Sequence, residues 1–162
     1  MRRFPDIRYF SDYYHYIVGL IDKSDIVINR ITLTKSYRWS TASITTGEIR
    51  APEIGGYPDE TAQSFDERNG LIFRDGSFLR FSETVSVNRR DGVTMLDYSY
   101  HYQRLNENFF IRFDFEELPS PDPIWKPQCH VHTNAKPELH IPCILFDLNM
   151  VLEFIKVNFF IS

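Results

Sequence analysis

Three histidines fall within eleven residues near the end of this chain: His130, His132 and His140. Imidazole is the side chain that titrates nearest neutrality, so clustered rings can share acid and base duty, hold a phosphate or grip a metal ion. His130 and His132 stand at i and i+2 in CHVHTN (129–134). In a strand that spacing puts both rings on one face, with Cys129 opposite. In FFIRFDF (109–115) the same alternation puts Arg112 and Asp114 on one face with Phe110. Phe109, Ile111, Phe113 and Phe115 then form the core face. Phosphate chemistry without a metal needs a base, an acid and a cation for the charge on phosphorus. Two imidazoles and the Arg112 guanidinium are such a set, with Asp114 competing with phosphate for the arginine.

Two further titratable groups join the candidates. Glu83 interrupts the apolar set Leu79, Phe81, Val85 and Val87. A carboxylate on an apolar face is costly unless paired, and burial raises its pKa. Such a group can work as acid or base, or orient a histidine or Arg112; alternatively it pairs structurally with an arginine or a tyrosine. His101, in TMLDYSYHYQ (94–103), lies opposite the face formed by Leu96, Tyr98, Tyr100 and Tyr102. The catalytic candidates are therefore His130, His132, Arg112, Glu83 and His101, and the binding candidates are Tyr98, Tyr100, Tyr102, Asp114, Asn134 and His140. A tyrosine ladder on a strand face either stacks nucleic-acid bases or buries its rings in the core with hydroxyls at the rim. The expected cofactor is none. The alternative is zinc held by His130, His132, His140 and Cys143, although that spacing matches no standard zinc module.

The elements that must position these residues are legible in period. Over 7–21, Ile7, Phe10, Tyr14, Ile17, Val18 and Ile21 recur at helical spacing. From Ile26 the period turns to two, predicting a strand through Leu33 with a bulge near Asn29, and 41–50 reads as another strand. Residues 51–69 hold two Pro, two Gly and five acidic residues, a loop insertion by composition. LIFR, Asp75-Gly76 and SFLRFSETVSV spell a hairpin with a type I′ turn. RRDG (89–92) and NEN (106–108) turn the chain twice more, so 70–115 predicts a four-strand antiparallel meander. Residues 116–128 read as loop, and Leu148, Val151, Leu152, Ile155 and Phe159 form one face of a last helix with Asp147 as its N-cap. The expected fold is α+β: an antiparallel meander sheet with an N-terminal and a C-terminal helix packed on it, one domain over 1–162.

Composition bounds the partners. The chain has 162 residues and a formal net charge of −4, which disfavours a generally basic nucleic-acid binder but leaves room for a local cationic patch. The sequence holds no apolar run long enough to cross a bilayer. Pro5 and Asp6 stand where a secretory signal needs its apolar core. With two cysteines and no such signal, the expected compartment is the cytoplasm, with no disulfide and no membrane partner.

The ordered motifs add a resemblance. Asp75, Gly76, Ser77, Leu79, Phe81 and Glu83 are followed by Tyr98, Tyr100, His101, Tyr102 and Gln103. Arg112 and Asp114 come next, then His130, His132 and Asn134, and His140 with Pro142 before the last helix. From about residue 70 onward this order resembles the TumE-type family, small prokaryotic toxins encoded in toxin–antitoxin pairs. Members often continue F-R-Y-D with Asn, Ala, Pro and His; this chain has Phe115, Glu116, Glu117, Leu118 and Pro119, an acidic stretch that argues against phosphate binding there. The resemblance implies a toxin acting on RNA, with a small DNA-binding antitoxin of helix-turn-helix type as partner. The rival readings are a binding module without catalysis and a metal-dependent enzyme using the histidines.

Overall fold

The alternation that dominates residues 70–134 builds the centre of the molecule, an antiparallel sheet, and the two stretches of helical period cover one of its faces. The structure, a computed structural model, describes residues 2–29, 33–38, 40–46, 70–118, 120, 122 and 124–161. The predicted insertion at 51–69 and the end of the predicted 41–50 strand lie outside the described residues.

In chain order the elements are β1 (Arg3–Phe4), α1 (Phe10–Lys23), β2 (Leu33–Arg38), β3 (Thr41–Thr46), β4 (Leu71–Ile72), β5 (Phe78–Asn88), β6 (Gly92–Arg104), β7 (Phe109–Glu116), β8 (Cys129–Thr133), β9 (Ile141–Pro142) and α2 (Leu148–Phe159). Among the described residues the strands form one nine-stranded sheet, ordered β2-β3-β5-β6-β7-β8-β9, with β1 on β6 and β4 on β5. Every pairing is antiparallel. The α+β expectation and the meander through β4–β7 hold.

Strand alternation gives the sheet two unlike faces. One carries Leu79, Phe81, Glu83, Tyr98, Tyr100, Tyr102, Phe113 and Phe115, all buried. Both helices pack there. Tyr13, Ile17 and Ile21 of α1 are buried at four-residue spacing, and Leu148, Val151, Leu152 and Ile155 of α2 are buried as one helical face. Phe159 reaches Tyr102 with ring centroids 5.1 Å apart, and Phe154 meets Phe113 edge-on at 5.3 Å. Asp147 caps α2, its Oδ1 accepting from the Met150 amide at 2.9 Å.

Several local expectations are corrected. The turn at Asp75-Gly76 is not type I′, because only Gly76 has positive φ, at 83°. Phe73 and Ser77 instead close a three-residue loop, with Gly76 N donating to Phe73 O and Phe73 N to Ser77 O. That is a type I turn finished by a left-handed glycine, and Asp75 Oδ1 braces it by accepting from the Ser77 amide and hydroxyl. The β5–β6 connection ends in the same way at Gly92, φ 82°. Leu96 does not continue the tyrosine face: the β5–β6 register slips between Thr84 and Val85, and Met95 takes the buried place. Residues 26–29 do not form a strand. Val27 makes a single bridge to Phe73, and the Asn29 side chain continues the pairing by accepting from Ile72 N at 2.7 Å and donating to Gly70 O at 2.8 Å. The first helix starts at Phe10 rather than Ile7, because β1 and a turn in which Ile7 N bonds Phe4 O occupy the preceding residues.

Candidate functional site

Register fixes what meets on the other face of the sheet. Arg80, His101, Arg112 and His132 are successive partners across β5, β6, β7 and β8. The adjacent row is Ser82, Ser99, Asp114 and His130. Partners opposite one another in an antiparallel sheet share a face with Cβ atoms ~5 Å apart, so these two rows place a guanidinium, a carboxylate and two imidazoles side by side.

Asp114 is the hub of this arrangement. Its Oδ1 accepts from Ser99 Oγ at 2.7 Å, and its Oδ2 accepts from Arg112 Nε at 2.7 Å. The same Oδ2 lies 3.4 Å from His132 Nε2 and 3.8 Å from His130 Nε2. The other ring nitrogens are held by loop carbonyls: His130 Nδ1 donates to Pro127 O at 2.8 Å, and His132 Nδ1 to Pro137 O at 2.6 Å. A carbonyl only accepts, so both Nδ1 atoms carry their protons and both Nε2 atoms turn to the centre. His140 arrives on the segment after β8. The ring centroids stand 5.0, 4.7 and 4.7 Å apart, for His130–His132, His130–His140 and His132–His140. One donor atom from each of the three lies within 4.8 Å of the others.

Burial sets the protonation. His130 and His132 are almost fully enclosed, and His140 is partly exposed. Desolvation lowers the pKa of His132. Desolvation and the neighbouring His130 lower that of His140. Both rings are therefore poised as neutral imidazoles, each with a lone pair available.

The remaining candidates fall elsewhere. Glu83 is not at this site. It lies in the core on the opposite face, where its carboxylate accepts from Tyr13 Oη at 2.8 Å and Tyr100 Oη at 2.7 Å. Burial pushes its pKa up to about 7, so the structural pairing weighed from sequence is what the geometry gives. Tyr98, Tyr100 and Tyr102 offer no stacking platform: their rings are buried beneath the helices. Their hydroxyls brace the core, with Tyr98 Oη accepting from Phe146 N and Tyr102 Oη donating to Ser77 Oγ. His101 is on the polar face but two strands away from His130 and His132, across Arg112. It is stacked on Phe110 and bonded to Gln103, and burial holds its pKa down to about 4. Asn134 ties the end of β8 to the β6–β7 turn, donating to Asn108 O at 2.7 Å. Cys143 does not join the histidine group. Its amide bonds Cys129 O, and burial pushes its thiol up to about 11, away from the thiolate a metal needs.

Ser99 and the carbonyls of Pro127 and Pro137 are the parts that sequence reasoning missed. Ser99 was available from alternation, since it shares a face with His101. The two carbonyls carried no signal, because their role depends on how the loops around β8 fold back.

The family described as Toxin TumE matches residues 20–157 of the chain. That match begins well before residue 70, where the motif resemblance starts. No curated protein and no solved structure matches. Among the described residues, no helix is long and apolar enough to cross a membrane.

Proposed function

We propose that this chain, which belongs to the TumE toxin family, acts on RNA and cleaves its phosphodiester bonds on the polar face of the sheet. Family membership makes it the toxin of a toxin–antitoxin pair and implies a cognate antitoxin; the helix-turn-helix type of that antitoxin is part of the proposal. The observation that carries the reading is the meeting of His130, His132 and His140 with the Arg112–Asp114 pair.

The chemistry follows from the roles these groups are able to take. An unprotonated Nε2 accepts the proton of a ribose 2′-hydroxyl. The freed oxygen attacks the adjacent phosphorus and the bond from phosphorus to the 5′-oxygen breaks; the 5′-oxygen takes its proton from solvent water while the imidazolium returns its own to solvent, giving a 2′,3′-cyclic phosphate and a 5′-hydroxyl. Arg112 supplies positive charge where it builds up on the phosphate. Asp114 keeps the guanidinium in place through Nε. Its negative charge opposes phosphate entry, and salt screens that repulsion as well as the attraction of Arg112. The lowered pKa of His132 and His140 keeps both rings unprotonated, the form from which a base acts, though it weakens their basicity. It works against a protonated ring as the general acid.

Induction of the wild type in a host without antitoxin is expected to arrest growth. His130→Ala with His132→Ala is expected to relieve the arrest at equal expression. Growth arrest that persists in the double variant would remove the histidines from the activity.

A further inference from the structure

Two pinned histidines aim the same ring atom at one place. Pro137 O holds the Nδ1 proton of His132, so its Nε2 faces the Asp114 carboxylate from 3.4 Å. His130, held in the same way by Pro127 O, faces the same oxygen from 3.8 Å. The His130 and His132 side chains are 5% and 2% exposed, and His140 closes the group. A cation at the centre of the three rings would meet three ring nitrogens with a carboxylate beside them.

We propose that His130, His132 and His140 bind one divalent first-row transition-metal ion, of the zinc or cobalt type, through three imidazole nitrogens, with Asp114 beside the ion. The inference goes beyond the RNA reading and does not rest on it. It is an alternative to the metal-free division of labour given above, because a lone pair that ligates the ion cannot also take the 2′-hydroxyl proton, and it differs from the sequence's zinc alternative in leaving Cys143 out.

Three features of the site match what such an ion requires. Imidazole nitrogen is a ligand for zinc and its neighbours, and three protein ligands with an open fourth position is the arrangement of catalytic rather than structural zinc. Metal-binding histidines almost always donate their other N–H to a carbonyl or carboxylate, which fixes the tautomer and aims the lone pair. Pro127 O and Pro137 O do this for His130 and His132. The size is also right. Donors within 4.8 Å of one another need only close to the ~3.4 Å spacing set by 2.0–2.1 Å bonds in a tetrahedron, an inward shift of ~1 Å per ring. His140, partly exposed and on the segment between β8 and β9, is the ring with most room to move.

The test uses the purified full chain, stripped with EDTA, dialysed and titrated with Co²⁺ and then Zn²⁺. The expected result is one equivalent of Co²⁺ with the visible absorption of a tetrahedral or five-coordinate site, displaced by Zn²⁺. His140→Ala is expected to weaken binding by more than the ~10–100-fold typical of losing an outer-shell partner, while Cys143→Ala leaves it unchanged. His140→Ala is the chosen variant because its ring is outside the core; circular dichroism checks that it folds. No Co²⁺ absorption in the folded wild type would overturn the inference, and so would binding that is equal in His140→Ala. A chain that binds Co²⁺ but leaves RNA intact supports the ion and retires the RNA reading. A chain that cleaves RNA while taking up no ion does the reverse.

Discussion

Glu83 and His101 lie on opposite faces of the neighbouring strands β5 and β6 and are displaced in opposite directions by the same cause. Burial raises Glu83 from an ordinary 4.5 to about 7 and lowers His101 from 6.5 to about 4. A carboxylate raised in the folded state contributes stability that is present below pH 4.5 and is lost as pH climbs to about 7. A histidine lowered in the folded state works the other way, its contribution being lost as pH falls from 6.5 to about 4. Each amounts to about 3 kcal/mol, so the two largely offset over the same window. Replacing Glu83→Gln, which keeps partners for Tyr13 and Tyr100, removes one side. The variant is expected to lose stability on acidification from pH 6.5 to 4 by about 2–3 kcal/mol more than the wild type does. Urea denaturation across that range checks it, and equal slopes would show that the carboxylate is not held as described. His132 and His140, also lowered, add to the loss on the acid side. At this scale the sequence was informative where alternation alone decides: His130 with His132, and Arg112 with Asp114, are where the period of two puts them. It misled where face and function separate. Glu83 looked reactive because it sits among apolar residues, yet that position places it under α1, bonded by Tyr13 and out of reach of Arg112.

The elements stand on turns that only certain residues permit. Gly76 and Gly92 both have left-handed backbones, at φ 83° and 82°, but their surroundings differ. A Cβ at Gly76 would meet nothing within 4 Å, whereas one at Gly92 would lie 2.5 Å from Phe4 O and 2.9 Å from Pro5 Cα. Gly76→Ala is therefore expected to cost about 1 kcal/mol from its backbone alone. Gly92→Ala is expected to cost at least about 1 kcal/mol more, because β1 must shift off β6. A pair of thermal melts compares them; equal losses would contradict the close approach of β1. On the other side of the core, Leu152 is 6% exposed under α2, and Leu152→Ala is expected to cost about 2–5 kcal/mol in chemical denaturation. A loss under about 1 kcal/mol would make α2 peripheral. Strand existence was readable from period two, and the last helix from its apolar stripe and Asp147. Turn type was not, because Asp-Gly also serves the three-residue loop seen here. The slip that exchanges Leu96 for Met95 was not either, since both residues are apolar and either fits the pattern.

Across the whole molecule, one face of the sheet is buried under both helices and the other presents the charged and titratable side chains. The net charge of −4 fits that division: the body is acidic, while Arg80 and Arg112 occupy one row of the polar face. What no local pattern revealed is the order β2-β3-β5 at one side and the closing of the histidine triangle at the other. That triangle depends on His140 returning after β8, and on Pro127 O and Pro137 O seizing two Nδ1 protons. These are contacts between segments that only the folded chain brings together. The account turns on whether this face cleaves RNA, and the direct measurement is incubation of purified protein with end-labelled RNA. Wild type is compared with Arg112→Ala and with the His130→Ala, His132→Ala double variant, each shown to be folded. The account predicts fragments with 2′,3′-cyclic phosphate ends from the wild type. It predicts a rate about 10²–10⁴-fold lower without the histidines, and about 10²–10³-fold lower without the guanidinium. RNA left intact by the folded wild type, or cut equally fast by the double variant, would contradict it.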